Sequence, residues 1–346
     1  MIVTTVLDSL NQALHQAFRT DERVYLLGED ILDPYGGAFK VTRGLSSQFP
    51  ERVLTTPVSE AGIVGVAAGM ALRGLRPVVE IMFGDFITLI ADQVINHIAK
   101  FRWMYHDQVC LPLIIRTPMG GRRGYGPTHS QTLEKLFLGV PGLRVLAASN
   151  LGNPGDLLTR AILEDDNPVL FIENKLLYPL PIMDTENDQD FIFTCRYPDH
   201  SHPTFKDTPD YAPTWVLEWK SAPPPNLTIA AYGYMAELAR QAVSQLAYEY
   251  EIIAELVVPS QIAPFDITPI RDSIYKTHRL LVLEEGNYTL GWGAEVVARL
   301  AETNTTQLRS IRRLAALDLP IPASGAIESA VLPGIENILQ IAREMA

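Results

Sequence analysis

Apolar residues in the first half of the chain alternate between short β-branched runs and longer stretches repeating near every 3.6 residues. Helical spacing covers 5–19. A strand is expected at 24–27, a glycine-punctuated loop at 28–44, a short strand near 52–54 and a helix at 60–72. Ser59 stands where its side-chain oxygen can cap that last helix. Gly62, Gly65 and Gly69 lower its propensity, and together with Ala67 and Ala68 they permit close backbone approach, so a tightly packed neighbour is expected against it. Beyond it, 77–83 reads as a strand, 87–103 as a helix, 111–117 and 145–148 as strands, 154–163 as a helix opened by Pro154, and 168–172 as a strand. Strands that alternate with helices in this way predict a mainly parallel sheet covered on both faces, in a domain spanning 1–175.

Periodicity weakens over 176–226, a stretch that ends in SAPPPN and reads as a linker stiffened by its prolines. The α/β pattern returns over 227–346, with strands at 227–231, 252–257 and 280–283 and helices at 235–248, 294–300 and 334–344. The expected fold class is therefore α/β, two three-layer domains with mainly parallel sheets. No fixed-period repeat interrupts the pattern.

Composition narrows the function classes. The 346 residues are enough for one or two sizeable cores, and a net charge of -12 works against a dominant nucleic-acid footprint. Two cysteines, Cys110 and Cys195, form no CxxC pair and no disulfide framework. No apolar stretch is long enough for a membrane helix of about 20 residues. The amino end carries Asp8 and no basic leader, so the expected compartment is the cytoplasm.

The candidate chemistry gathers at three places. Glu60, in TPVSEAGIVG, opens a helix among glycines and is either a capping carboxylate or a ligand-facing acid able to share a proton with a heterocyclic nitrogen. His129 lies in the glycine-rich loop 118–131, where an imidazole can serve proton transfer or simply sit at the surface. Arg122 and Arg123 beside it are anion forks or solvated charge. Phe86, in FGDF, offers a planar face or fills a core. GxGxxG after a strand, GxxxxGK[ST], HExxH and GxSxG are absent, and the spacing of Asp30 and Asp33 does not fit a calcium loop.

Longer blocks carry a resemblance. GEDI, GGAFKVTRGL, TPVSEAGIVGVAAGMALRGLRPVVEIMFGDF, ADQVINHIAKFR, LIIRTPMGGRRGYGPTHSQ and FLGVPGLRV resemble the beta subunit of the decarboxylating dehydrogenase component of 2-oxo acid dehydrogenase complexes. The match continues more weakly through LTIAAYG, RLLVLEEG and GWGAEV. It implies a pyrimidine-binding transketolase-like domain followed by a transketolase C-terminal-like domain. It also implies thiamine diphosphate and Mg2+ held at an interface with an alpha-type partner in an α2β2 assembly. A small 2-oxo acid, of pyruvate or branched-chain type, would be decarboxylated and its acyl group passed to a lipoyl group, through a lipoylated acyltransferase.

Carried onto this sequence, the resemblance implies that Glu60 hydrogen-bonds the aminopyrimidine, that Phe86 packs against it and that His129 assists acyl transfer. A potassium site would fall at Leu113, Ala161, Ile162, Glu164 and Asp166. The chain has no GDG segment of the kind that holds magnesium in this family, so diphosphate and metal are expected to depend on the partner and the chain to be inactive alone. Two other readings stand beside this one: a non-oxidative synthase or transketolase-like subunit on the same half-site, and a catalytically silent structural beta-like subunit.

Overall fold

The structure of the chain, a computed structural model, describes residues 4–200, 205, 209–303 and 308–346. It divides into two compact units, Met1–Gly120 with Leu136–Ile182, and Gly121–Lys135 with Met183–Ala346.

In the first unit α1 (Val6–Thr20) is followed by β1 (Val24–Gly28), α2 (Leu45–Gln48), β2 (Val53–Thr55), α3 (Glu60–Leu72), β3 (Arg76–Glu80), α4 (Ala99–Met104), β4 (Ile114–Met119), β5 (Arg144–Ala147), α5 (Pro154–Glu164) and β6 (Val169–Asn174). These strands run parallel in the order β5-β6-β4-β3-β1-β2. Every residue of β3, β4, β5 and β6 is buried. Successive strand side chains point to opposite faces, so uninterrupted burial means that both faces are covered. α1 starts with a reciprocal cap between Thr5 and Asp8 and packs on α5, where the Gly155 amide donates to Ser9 Oγ at 2.8 Å.

Two local expectations give way. The stretch 87–103 is not one α-helix: a 3₁₀ segment, Gly84–Ile90, and a π-helical turn, Gln93–Ile98, precede α4. Apolar spacing over so few turns does not separate these hydrogen-bond ladders. Ser59 is the N-cap of α3 by position, but its side chain makes no capping hydrogen bond. Asp33 does cap: its carboxylate accepts from the Gly44 and Ser47 amides and the Ser46 and Ser47 hydroxyls ahead of and within α2. Those bonds, the Ser47 hydroxyl foremost, hold its pKa down at about 2.

The second unit contains β7 (Phe191–Arg196), β8 (Thr214–Trp219), β9 (Leu227–Ala231), α6 (Gly233–Tyr250), β10 (Ala254–Pro259), β11 (Gln261–Ala263), α7 (Thr268–Thr277), β12 (Arg279–Asn287), α8 (Trp292–Glu302), β13 (Ser310–Ala316), α9 (Gly325–Val331) and α10 (Ile335–Met345). Its sheet has the order β13-β12-β9-β10-β8-β7. The first four strands are parallel, and β8 and β7 add to them antiparallel. β9 and β10 are buried throughout. The chain therefore has the expected class, two α/β units with largely parallel sheets. Within 176–226 the described residues form β7 and β8; β7 is the edge strand and only its Phe191 is buried, which is why its apolar pattern is weak.

Candidate active site

β3, β1 and β2 lie side by side in the first sheet, and the chain leaving their carboxyl ends carries Phe86, Glu29 and Glu60. Parallel strands gather side chains from separate stretches of sequence at this edge, where α/β proteins bind ligands. Glu60 is the first residue of α3, 7% exposed, and its carboxylate has no hydrogen bond and no ion pair among the described residues. Among the described residues it makes no capping hydrogen bond, while its charge still lies in the first turn of the helix.

Glu29 was not singled out by sequence. It follows β1 directly, and the Ser59 amide donates to its carboxylate. Burial, and then the charge of Glu60, push its pKa above the usual carboxylate range, and its buried Oε1 has no hydrogen-bond partner. The sequence signal for it is position alone: an acidic residue immediately beyond a buried parallel strand.

Phe86 sits half-buried on the 3₁₀ segment, against which α3 packs. Its ring meets Phe83 edge-on at 5.8 Å between centroids, and Phe83 meets Phe39 at 5.7 Å. Gly84 is required here, because a Cβ would lie 2.3 Å from Met119 Cγ at the end of β4. Among the described residues α3 has no neighbour at two of its glycines: nothing lies within 4 Å of a Cβ built at Gly65 or Gly69, and Val66 between them is 59% exposed. The tightly packed partner expected there is not supplied by these residues.

His129 belongs to the second unit, within Gly121–Lys135, and is half-buried with Nδ1 3.0 Å from Thr128 Oγ1. Arg122 is not a spare anion fork: its guanidinium pairs with Glu285 at 2.9 Å and donates to the Pro333 carbonyl at 2.6 Å. Arg123 is exposed. Glu134, another residue that sequence did not single out, ends this loop and accepts from the Tyr232 hydroxyl. Burial pushes its pKa up to about 7; the Tyr232 bond opposes that rise, and the nearby Glu284 and Glu285 add to it.

The residues implied for potassium lie at the other end of the first unit's strands. Leu113 precedes β4 and Asp166 precedes β6, while Ala161, Ile162 and Glu164 are in the last turn of α5. The Glu164 carboxylate is paired with Arg160 at 2.9 Å and that of Asp166 with Arg76 at 3.1 Å. This donor set suits a cation held by main-chain oxygens at the negative end of a helix, not by these carboxylates.

Residues 4–181 match the family described as transketolase, pyrimidine binding domain, and residues 220–338 match transketolase, C-terminal domain. The mitochondrial pyruvate dehydrogenase E1 component subunit beta-1 of Arabidopsis thaliana is 35% identical over 343 residues, 98% of this chain and 88% of the relative. The acetoin:2,6-dichlorophenolindophenol oxidoreductase subunit beta of Bacillus subtilis (strain 168) is 34% identical over 356 residues, covering 99% of this chain and 97% of that one. A solved structure titled "Split gene transketolase, inactive beta4 tetramer" superposes with a TM-score of 0.73 at 18% identity, covering 99% of this chain and 98% of the other, and supports the fold. The chain belongs to the transketolase-like family, within its branch of pyruvate and 2-oxo acid dehydrogenase E1 beta-type subunits.

Proposed function

We propose that this chain is the pyrimidine-binding half of a thiamine-diphosphate-dependent 2-oxo acid dehydrogenase and turns over only when an alpha-type chain completes the site. The observation that carries this is Glu60, a buried carboxylate at a helix start with no hydrogen bond or cation of its own among the described residues. Such a group is left with its proton-binding capacity for a ligand, and the aminopyrimidine of thiamine diphosphate offers a matching ring nitrogen. Bound thiamine diphosphate supplies a nucleophilic carbon and accepts the electrons released as carbon dioxide leaves an oxo acid.

Glu60 holds or releases the proton at the ring nitrogen, and Glu29 beside it adds a second negative charge to the site. Phe86 orients the ring, and His129 handles a proton during acyl transfer to a lipoyl group. The bare Gly65–Gly69 face of α3 supports a neighbouring subunit, as does the absence of a GDG segment for magnesium and diphosphate. A potassium ion among Leu113, Ala161, Ile162, Glu164 and Asp166 would be structural, held by carbonyls.

The test is reconstitution with an alpha-type chain, Mg2+ and thiamine diphosphate, followed by decarboxylation assays on pyruvate and branched-chain 2-oxo acids with lipoamide as acceptor. Acyl-lipoamide formed only by the complete mixture is expected; no decarboxylation of any oxo acid would end the proposal. A second reading, cleavage of a hydroxyketone such as acetoin, is favoured by the nearly equal identity to the acetoin-oxidoreductase subunit. Substrate competition in the same mixture separates the two.

A further inference from the structure

The loop that carries His129 is fastened by two carboxylates from distant parts of the second unit. Glu285, in β12, accepts the Gly121 amide at 2.7 Å and pairs with the Arg122 guanidinium. Glu328, in α9 and 2% exposed, accepts the Arg122 amide on Oε1 at 2.7 Å and the Gly124 amide on Oε2 at 3.3 Å. Both oxygens of Glu328 thus serve this one loop.

The backbone is shaped to that carboxylate. Arg122 is held at φ 66°, a left-handed conformation unusual for a residue with a side chain, and Gly124 follows at φ 68°. A Cβ at Gly121 would lie 2.6 Å from Leu332 Cδ1 and 3.1 Å from Glu328 Oε1, so only glycine lets the chain pass this close. Two amides of one turn, those of Arg122 and Gly124, converge on a single anion, here a side chain of the protein itself. A left-handed arginine persists only where its surroundings over-determine it, and the bonds from its amide to Glu328 and from its side chain to Glu285 and Pro333 do so.

We propose that Glu328 is a positioning residue for His129: its carboxylate fixes the turn at Arg122–Gly124 and through it the placement of the imidazole during acyl transfer. The inference rests on the reading of His129 given above. Glutamine at this position keeps the volume but presents one acceptor oxygen and one NH2 group to two amides that both need acceptors.

The experiment uses the complete assembly with its alpha-type chain, pyruvate as substrate, and two acceptors, lipoamide and 2,6-dichlorophenolindophenol. In Glu328→Gln, transfer to lipoamide is expected to fall about 10- to 100-fold, the scale of loss when a reacting group is displaced by about 1 Å, while dye reduction changes by less than about 3-fold. Amide hydrogen exchange over 121–124 is expected to quicken in the same variant. Glu328→Asp, whose carboxylate is one methylene too short to reach the Arg122 and Gly124 amides together, is expected to show the same split and serves if Glu328→Gln does not assemble.

Parental lipoamide transfer in both variants, equal loss with both acceptors, or unchanged exchange over 121–124 would overturn the inference. His129→Ala separates the two claims. A split loss in His129→Ala, with Glu328→Gln and Glu328→Asp behaving like the parent, leaves His129 standing and removes Glu328. Equal losses with the two acceptors in His129→Ala remove the reading of His129 and the inference together.

Discussion

Two carboxylate clusters of the first unit are built in opposite ways. At the centre of the sheet, Arg116 of β4 donates to Glu80 of β3 at 2.8 Å and to both oxygens of Glu173 of β6 at 2.8 and 2.9 Å, and the Tyr178 hydroxyl adds a bond to Glu173 at 2.7 Å. Burial works against the Arg116 charge, and Glu173 and Glu80 outweigh it, so the arginine stays ionised. At the carboxyl edge of the same sheet, Glu29 and Glu60 stand together with no cationic side chain paired to them among the described residues. The arginine-centred cluster spends its bonds within the protein and ties three strands together. The unsaturated pair is electrostatically unfavourable in the isolated chain, and such unfavourable placements concentrate where a ligand supplies the missing half.

Substitutions sharpen this contrast, and the largest effect belongs to the arginine-centred cluster. Arg116→Met strands two buried carboxylates, and a loss of about 3–5 kcal/mol is expected in urea unfolding of the chain, since removing one partner of a buried pair leaves the other charge uncompensated. A loss below about 1 kcal/mol would mean that water reaches the cluster.

Glu60→Gln reverses the pattern: turnover of the assembled enzyme is expected to drop by roughly 10²–10⁴-fold, the usual share of a positioned acid or base, with thermal stability equal to the parent or higher. Stability lost together with activity would make Glu60 a member of the structural class. Glu134→Gln probes the loop. The folded-state pKa of Glu134, near 7, lies above its ordinary value, so its contribution to stability is greatest below about pH 4.5 and declines as pH rises towards 7. The variant escapes that decline, and its melting temperature is expected to gain on the parent between pH 5 and pH 8 by roughly 2–4 °C for each kcal/mol removed. A constant gap across that range would show that Tyr232 keeps Glu134 in one protonation state.

Glu29→Gln is the smallest step. The sign is the same, because a raised carboxyl pKa weakens the fold as pH climbs above its ordinary value. A gain of about 0.5–1 kcal/mol at pH 7 that vanishes at pH 4 is expected from removing one of two neighbouring like charges near the surface. A loss at pH 7 would indicate a hidden cation beside the pair.

Much of this arrangement was legible in the chain. The helix at 60–72 and the strand at 227–231 fall where hydrophobic spacing puts them, because the period of a covered element is written into its own residues. Glu60, Phe86 and His129 stood out through their glycine-rich neighbourhoods and the blocks of resemblance around them. Glu29 and Glu328 did not, since nothing local to GED or AIES distinguishes a carboxylate that meets Glu60 from one that meets water. The 3₁₀ and π turns after β3 escaped for a related reason: near 3.6 residues per turn, apolar spacing alone reports a covered face and not the hydrogen-bond ladder.

Two α/β domains with mainly parallel sheets, and the family blocks that single out Glu60, were already written in the chain. Those depend on composition and period within each element. Only the tertiary structure decided which carboxylates share an arginine, which stand without one, and which reach across some 200 residues of chain to hold a loop. Electrostatic partnership is set by distance in space and by burial, and neither is a property of neighbouring residues in the chain.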